Sequence, residues 1–305
     1  MSDVQFIGMD IGRGYLKAYS EVNKIVKEVM FKSVYGDGRQ DKVEYNNYEN
    51  PIYISFEEMD CFIGTLAEKE SYTLIRNSKD SKISQTVRIL MAAALEQTAV
   101  KDRVKLCLGV PYKNFTQKTL KEVQETYKGK TIKVKNRLNN SNKSIFIEDI
   151  DIFREGDAAL FHALNCSVNE IKPVGLVNVG FRTTELSYFD KNLVFNDRLS
   201  DTIEYGNSTM LKTIQDSLLS QNITKSLIEI DSSDDYDDMK RSIYAFGSES
   251  LNQLIEEKWP NKDEMDLYLA GGTSLHLNPG DDFIKLPDAQ MATAKGLFKV
   301  AKMKF

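Results

Sequence analysis

Apolar residues fall along this chain in short runs broken by glycine, alternating with stretches of helical period. Residues 4–10 are apolar and β-prone, Gly12 and Gly14 interrupt them, and residues 15–19 resume the pattern, which predicts strand, tight turn, strand. Further short strands are expected around 27–31, 51–55 and 61–64. Residues 84–99 predict the first strong helix, with Val87, Leu90, Met91, Ala94 and Leu95 on one face. The run 104–110, closed by Pro111, reads as a buried strand. Thr116 is a good N-cap for a helix reaching Tyr127 and stopped by Gly129. Residues 131–135 and 144–153 read as paired strands around the polar segment 136–143, and 155–165 as a short helix.

The opening pattern then returns. Residues 174–179 predict a strand, 180–182 a turn, 183–189 a strand and 193–199 another. Asn207 is expected to cap a helix whose apolar stripe is Met210, Leu211, Ile214 and Leu218. Residues 239–259 read as helix despite Gly247, with Ile243, Phe246, Leu251, Leu254 and Ile255 as core positions. A last strand is expected over 265–270, ended by Gly271 and Gly272, and a closing helix over 289–302. Strands alternate with helices, so the class is α/β. The two strand–turn–strand units are offset by 168 residues, from Asp10 to Asn178, which suggests two similar halves.

The chain has 305 residues, enough for about two domains of ordinary size. With 41% hydrophobic and 28% charged residues it is not of the disordered class. No stretch approaches the roughly 18 apolar residues of a membrane span, and the first residues lack the basic start and apolar run of a signal peptide, so a cytoplasmic protein is expected. The spacing of Cys61, Cys107 and Cys166 indicates neither a disulfide framework nor a zinc knuckle. With only His162 and His276, histidine-based metal sites and Ser/His or Cys/His catalysis are disfavoured. A net charge of −5 argues against tight direct binding of nucleic acid. The chemistry therefore falls to carboxylates, amides, lysines and backbone groups.

Four segments carry such groups. The first turn holds Asp10, Gly12, Arg13, Gly14 and Lys17: glycines let backbone N–H groups approach phosphate oxygens, the lysine adds positive charge, and Asp10 suits a magnesium ion held through water. The second turn repeats the geometry with Asn178, Gly180, Phe181, Arg182, Thr183 and Thr184, hydroxyls standing where the lysine stood. Glu155 opens a helix, an ordinary place for a carboxylate. Gly271, Gly272 and Thr273 follow a strand and suit backbone lying against a flat or anionic ligand.

In that order and spacing, the four segments resemble those of the actin-like ATPase superfamily, and among its short members the bacterial plasmid-partition actins of the ParM/Alp type. The resemblance spans the chain. It implies a two-domain actin/Hsp70-like ATPase fold with a nucleotide cleft between related halves, domain I at 1–155 plus 288–305 and domain II at 156–287. Residues 10–17 resemble the first phosphate loop, 178–184 the second, 269–273 the adenosine motif, and the segments starting at Glu155 and Gln290 the two connecting helices. Residues 62–67 resemble the family's segment before its first long helix, and Gly206 with Asn207 stand near the adenosine side. By the same resemblance Glu155 is the catalytic residue, the ligands are Mg²⁺ and ATP or GTP, and the activity is hydrolysis coupled to assembly. The implied partners are further copies of the chain in a head-to-tail filament and a small DNA-binding adaptor of the ParR type on plasmid DNA, with no membrane. A membrane-bound actin is disfavoured because no amphipathic helix precedes Asp10.

Departures from the family pattern are Asn178, where an aspartate is usual, and bulky Phe181 and Arg182, where glycines are frequent; they imply slower hydrolysis. The alternatives are a sugar-type kinase of the same fold, whose base would have to be Glu185 or Asp190, and a nucleotide-binding scaffold that hydrolyses little. The acidic run 231–238 lacks the central glycine and terminal glutamate of a calcium loop and is expected to be a solvated loop. The lysines of 295–305 fit the C-terminal end of a closing helix packed on the first half.

Overall fold

The computed structural model describes residues 4–38, 47–78, 81–164 and 172–305. Cys166 and the expected helix end at Asn165 lie outside them. The chain divides into two compact units, Met1–Ala158 with Thr293–Phe305, and Ala159–Ala292.

Among the described residues the first unit is built on ten strands. β1 (Gln5–Ile11) is buried at every position but Phe6, as a central strand is, and runs antiparallel to β2 (Tyr15–Val22) on one side. β3 (Ile25–Lys32), β4 (Val34–Asp37), β5 (Ile52–Phe56), β6 (Met59–Ile63), a short helix α1 (Thr65–Glu70) and β7 (Leu74–Arg76) follow. After helix α2 (Gln85–Thr98), β8 (Arg103–Val110) runs parallel to β1 on its other side. Helix α3 (Gln117–Tyr127), capped by the Thr116 hydroxyl as expected, precedes β9 (Lys130–Asn136) and β10 (Asn142–Arg154). The sheet order is β3-β2-β1-β8-β10-β9-β5-β6-β4-β7.

The helix α2 differs from its expected single buried face. Ile89, Ala92 and Ala93 are fully buried beside the predicted stripe, and even Glu96 is only 5% exposed. It touches β1, β2, β3, β4, β5 and β9, so the sheet curls around it. A twisted sheet of ten strands curls rather than staying open, and the alanines let its strands approach on several sides.

The passage to the second unit runs through helix α4 (Glu155–Leu164). There β11 (Val174–Val179) pairs antiparallel with β12 (Thr184–Asp190). The expected strand 193–199 is only the two residues of β13 (Val194–Phe195), because Asn196 accepts from the amides of Arg198 and Leu199 and turns the chain; β14 (Asp201–Ile203) follows. Helices α5 (Asn207–Ser220), α6 (Leu227–Ser232) and α7 (Asp237–Lys258) lead to β15 (Asp266–Ala270), parallel to β11, then β16 (Phe283–Lys285). The order is β13-β12-β11-β15-β16, with β14 on β12. The last helix, α8 (Ala292–Lys304), belongs to the first unit from Thr293 on, with Lys295 3.7 Å from Glu28.

Three further expectations are corrected. Asn207 is not a cap: Gly206 holds that position, and the Asn207 side chain donates to Asp231 and accepts from Tyr244. Phe246 is 68% exposed, because the core face of α7 is set by Tyr244, Leu251 and Ile255. The acidic run is no loop: it spans the end of α6, a 3-10 turn and the start of α7, where Asp237 and Asp238 suit the helix dipole.

Candidate functional site

Asp10 stands at the end of β1, directly opposite Lys17 on β2, and Gly12, Arg13 and Gly14 form the turn between the strands. The Gly12 amide donates to the Tyr15 carbonyl at 3.1 Å, closing the turn. Lys17 Nζ lies 2.9 Å from Asp10 Oδ2, both side chains being largely withdrawn from solvent. Asp10 Oδ1 is buried and has no hydrogen-bond partner among the described residues. A buried carboxylate oxygen left this way is a hard, anionic acceptor, and it fits a magnesium ion that keeps its water shell. Among the described residues no group of three acidic, His or Cys side chains stands ready to hold a metal alone.

Two side chains that the sequence reading missed tie this loop from behind. Asn77 Nδ2 donates to the Gly12 carbonyl at 3.1 Å, and Lys82 Nζ to the Ile11 carbonyl at 3.1 Å. Lys82 also lies 3.4 Å from Glu155 Oε1. Glu155 opens α4 with its side chain across Gly109 of β8, and Asp10 and Lys17 act on it electrostatically. Burial is the largest influence on Glu155 and raises its carboxyl to about 7, with Lys82 pulling the other way. No motif marks Lys82; its only signal is a position two residues before Ser84, the cap of α2.

The second unit repeats the hairpin. Asn178 faces Glu185, Val179 faces Thr184, and the Gly180 amide donates to the Thr183 carbonyl at 2.9 Å. The loop is held by its carbonyls. Gly180 O accepts from the Asn207 amide and from Thr273 Oγ1, and Phe181 O accepts from the Ser208 amide. A Cβ on Gly206 would lie 2.6 Å from the Gly180 carbonyl oxygen, so a glycine is required where α5 meets the loop. Gly271 has φ +91°, and a Cβ there would lie 2.2 Å from the Val179 carbonyl oxygen and 2.8 Å from Asn178 Oδ1. Gly272 lies beside the side chain of Gln290. Thr184 donates to the Tyr205 carbonyl at 2.7 Å, Phe181 packs on the α5 core, and Arg182 pairs with Glu204 at 2.7 Å on the surface. The sequence-predicted residues of each half thus converge within their own unit.

A cavity of about 620 Å³ is lined by Arg241, Tyr244, Ser248 and Asn252 of α7 and by His276 and Asn278, at and just past the end of the 3-10 turn Gly272–His276. The Tyr244 and His276 rings stack at 4.9 Å, and Tyr244 Oη donates to Asn207 Oδ1. Aromatic faces with a few polar groups are what a planar, hydrogen-bonding ligand requires. The helical spacing of Arg241, Tyr244 and Ser248 is legible in the sequence, but nothing local to that stretch separates cavity-lining positions from core positions.

Residues 8–156 match the model of the actin-like proteins' N-terminal domain. No curated protein matches the chain in sequence. Among solved structures, the ParM of a 15-stranded filament from Clostridium botulinum is 20% identical with a TM-score of 0.81, covering 99% of this chain and 100% of that one. The archaeal actin homolog Ta0583 is 17% identical with a TM-score of 0.81, covering 98% of this chain and 100% of that one. In its complex with ADP, Ta0583 has 16% identity and a TM-score of 0.76, covering 98% and 100%.

Proposed function

We propose that this chain, which is an actin-like protein, binds a magnesium nucleotide and assembles head to tail into filaments. The observation that carries the reading is the pair of hairpins, 168 residues apart and in one register, each with its loop carbonyls tied back. Phosphates are held by Asp10, Gly12, Arg13, Gly14 and Lys17 in one domain, taken as 1–155 plus 288–305. They are also held by Asn178, Gly180, Phe181, Arg182, Thr183 and Thr184 in the other, taken as 156–287. Magnesium, when bound, offsets phosphate charge, and Asp10 would hold it through water. Gly206, Asn207, Gly271, Gly272 and Thr273 flank the nucleoside, whose base takes the Tyr244–His276 cavity. Glu155 orients the attacking water, its ionised carboxylate accepting a hydrogen from it.

ATP is favoured over GTP by the likeness to a protein crystallised with ADP. The fold likeness to a ParM filament supports plasmid segregation as the role, and the chain's net charge of −5 favours reaching DNA through a basic adaptor of the ParR type. Among the described residues no helix is long and apolar enough to cross a membrane; work in the cytoplasm is part of the same proposal. Light scattering and pelleting after adding Mg-ATP, Mg-GTP or neither, followed by negative-stain microscopy, test the reading. Nucleotide-dependent filaments are expected. A folded protein that neither binds nucleotide nor pellets would sink it.

A further inference from the structure

We propose that Lys82 is a positioning residue for hydrolysis: its ammonium, seated between the Ile11 carbonyl and Glu155 Oε1, fixes where the Glu155 carboxylate stands relative to the Asp10–Lys17 loop. The inference rests on the hydrolysis reading above. Lys82 is held at both ends. Its side chain is 7% exposed, and its carbonyl accepts from the hydroxyl of buried Tyr127 at 2.7 Å. A flexible four-carbon stem and a strongly hydrated charge are costly to order and bury. A single bond to a loop carbonyl could be made by a neutral donor, as Asn77 does for Gly12 one residue on. The charge is explained by what else it touches, the carboxylate of Glu155.

Glu155 is confined from the other side too. A Cβ on Gly109 would lie 2.9 Å from Glu155 Cγ, so the glutamate stem crosses bare backbone of β8 with little room to swing. With Oε1 engaged by Lys82, Oε2 is the oxygen left to receive a hydrogen from water. The charged groups acting on this carboxylate are Lys82, Asp10 and Lys17. Of these, Lys17 is engaged by Asp10 at 2.9 Å, and Lys82 alone lies within ion-pair distance of Glu155. One ammonium thus ties the loop that faces the phosphates to the group that faces the water.

The test compares full-length wild type with Lys82→Met, Lys82→Gln, Glu155→Gln and the Lys82→Met/Glu155→Gln double variant. Each is measured for Mg-ATP affinity and for single-turnover hydrolysis of bound ATP. Lys82→Met should bind Mg-ATP within roughly tenfold of wild type, yet hydrolyse it at least ~10-fold more slowly. The double variant should be no slower than Glu155→Gln alone, because two residues acting through one group are not additive. Lys82→Gln keeps a donor in place without the charge, so it should fold if Lys82→Met does not, and it should fall between wild type and Lys82→Met in rate. Two results would overturn the inference: an affinity loss well beyond tenfold with hydrolysis of the bound nucleotide unchanged, or a double variant slowed by the product of the single effects. A Glu155→Gln protein that hydrolyses like wild type would instead bring down the hydrolysis reading itself.

Discussion

The two glycine hairpins share a backbone and differ in charge. Asp10 faces Lys17 as Asn178 faces Glu185, and the Gly12 and Gly180 amides close the two turns in the same way. In the first hairpin a carboxylate and an ammonium meet at 2.9 Å. In the second, a neutral amide stands opposite a glutamate that is 4% exposed. The loops are also fastened differently. Side chains of Asn77 and Lys82 reach the first, whereas main-chain amides at the start of α5 and the Thr273 hydroxyl hold the second. A backbone turn can thus be kept while its electrostatics are rewritten. The lesson is that the first hairpin is built to manage charge and the second to present shape.

The largest expected effect follows from placing hydrolysis with the first unit. Glu155→Ala should still bind nucleotide but release phosphate at least ~10²-fold more slowly, the low end for a group acting on the attacking water. Unchanged release in a single-turnover assay would return Glu155 to a plain helix-start residue.

Asp10→Ala set against Asn178→Ala tests the contrast most directly. The first should weaken Mg-nucleotide binding by ~10–100-fold, as loss of a group that holds a metal through water does, and abolish nucleotide-dependent assembly. The second removes one ordinary hydrogen-bonding group and should cost no more than ~10-fold. Equal losses in a titration calorimeter would erase the distinction.

The pH dependence belongs to Glu155. Its carboxyl is raised to about 7, chiefly by burial, so the water-orienting ionised form is scarce at pH 6 and dominant at pH 8. Single-turnover hydrolysis should rise roughly tenfold over that interval. A flat profile would show that another group limits the rate.

The smallest change comes from writing the first hairpin's charge into the second. Asn178→Asp should speed hydrolysis only a few-fold and shorten filament lifetime, because the new carboxylate lies directly opposite Glu185 across the hairpin, where like-charged neighbours oppose each other. Arg182 does not relieve this, being paired with Glu204 at 2.7 Å. Adding Glu185→Gln should enlarge the gain. If Asn178→Asp alone matches the double variant, Glu185 does not oppose it and the comparison needs redrawing at Phe181.

Much of this architecture was legible in residue order. Alternation of short apolar runs and helical stripes gave the α/β class, and the strand starts at Gln5, Tyr15, Arg103 and Val174 fell within a residue of expectation, because glycine, proline and capping hydroxyls act locally. The repeat from Asp10 to Asn178 was visible as two glycine turns, since hairpin geometry is written in its own few residues. What local pattern could not reveal is which distant groups meet. Burial of α2 on all sides depends on a ten-strand sheet curling around it. Asn207 looked like a cap, yet its side chain is drawn to Asp231 and Tyr244, 24 and 37 residues away. Lys82 lies 73 residues from Glu155 and carries no motif. Turns and caps are decided by neighbours in sequence, whereas a buried ion pair is decided by whichever charges the packed core leaves facing one another, and only the tertiary structure makes that choice.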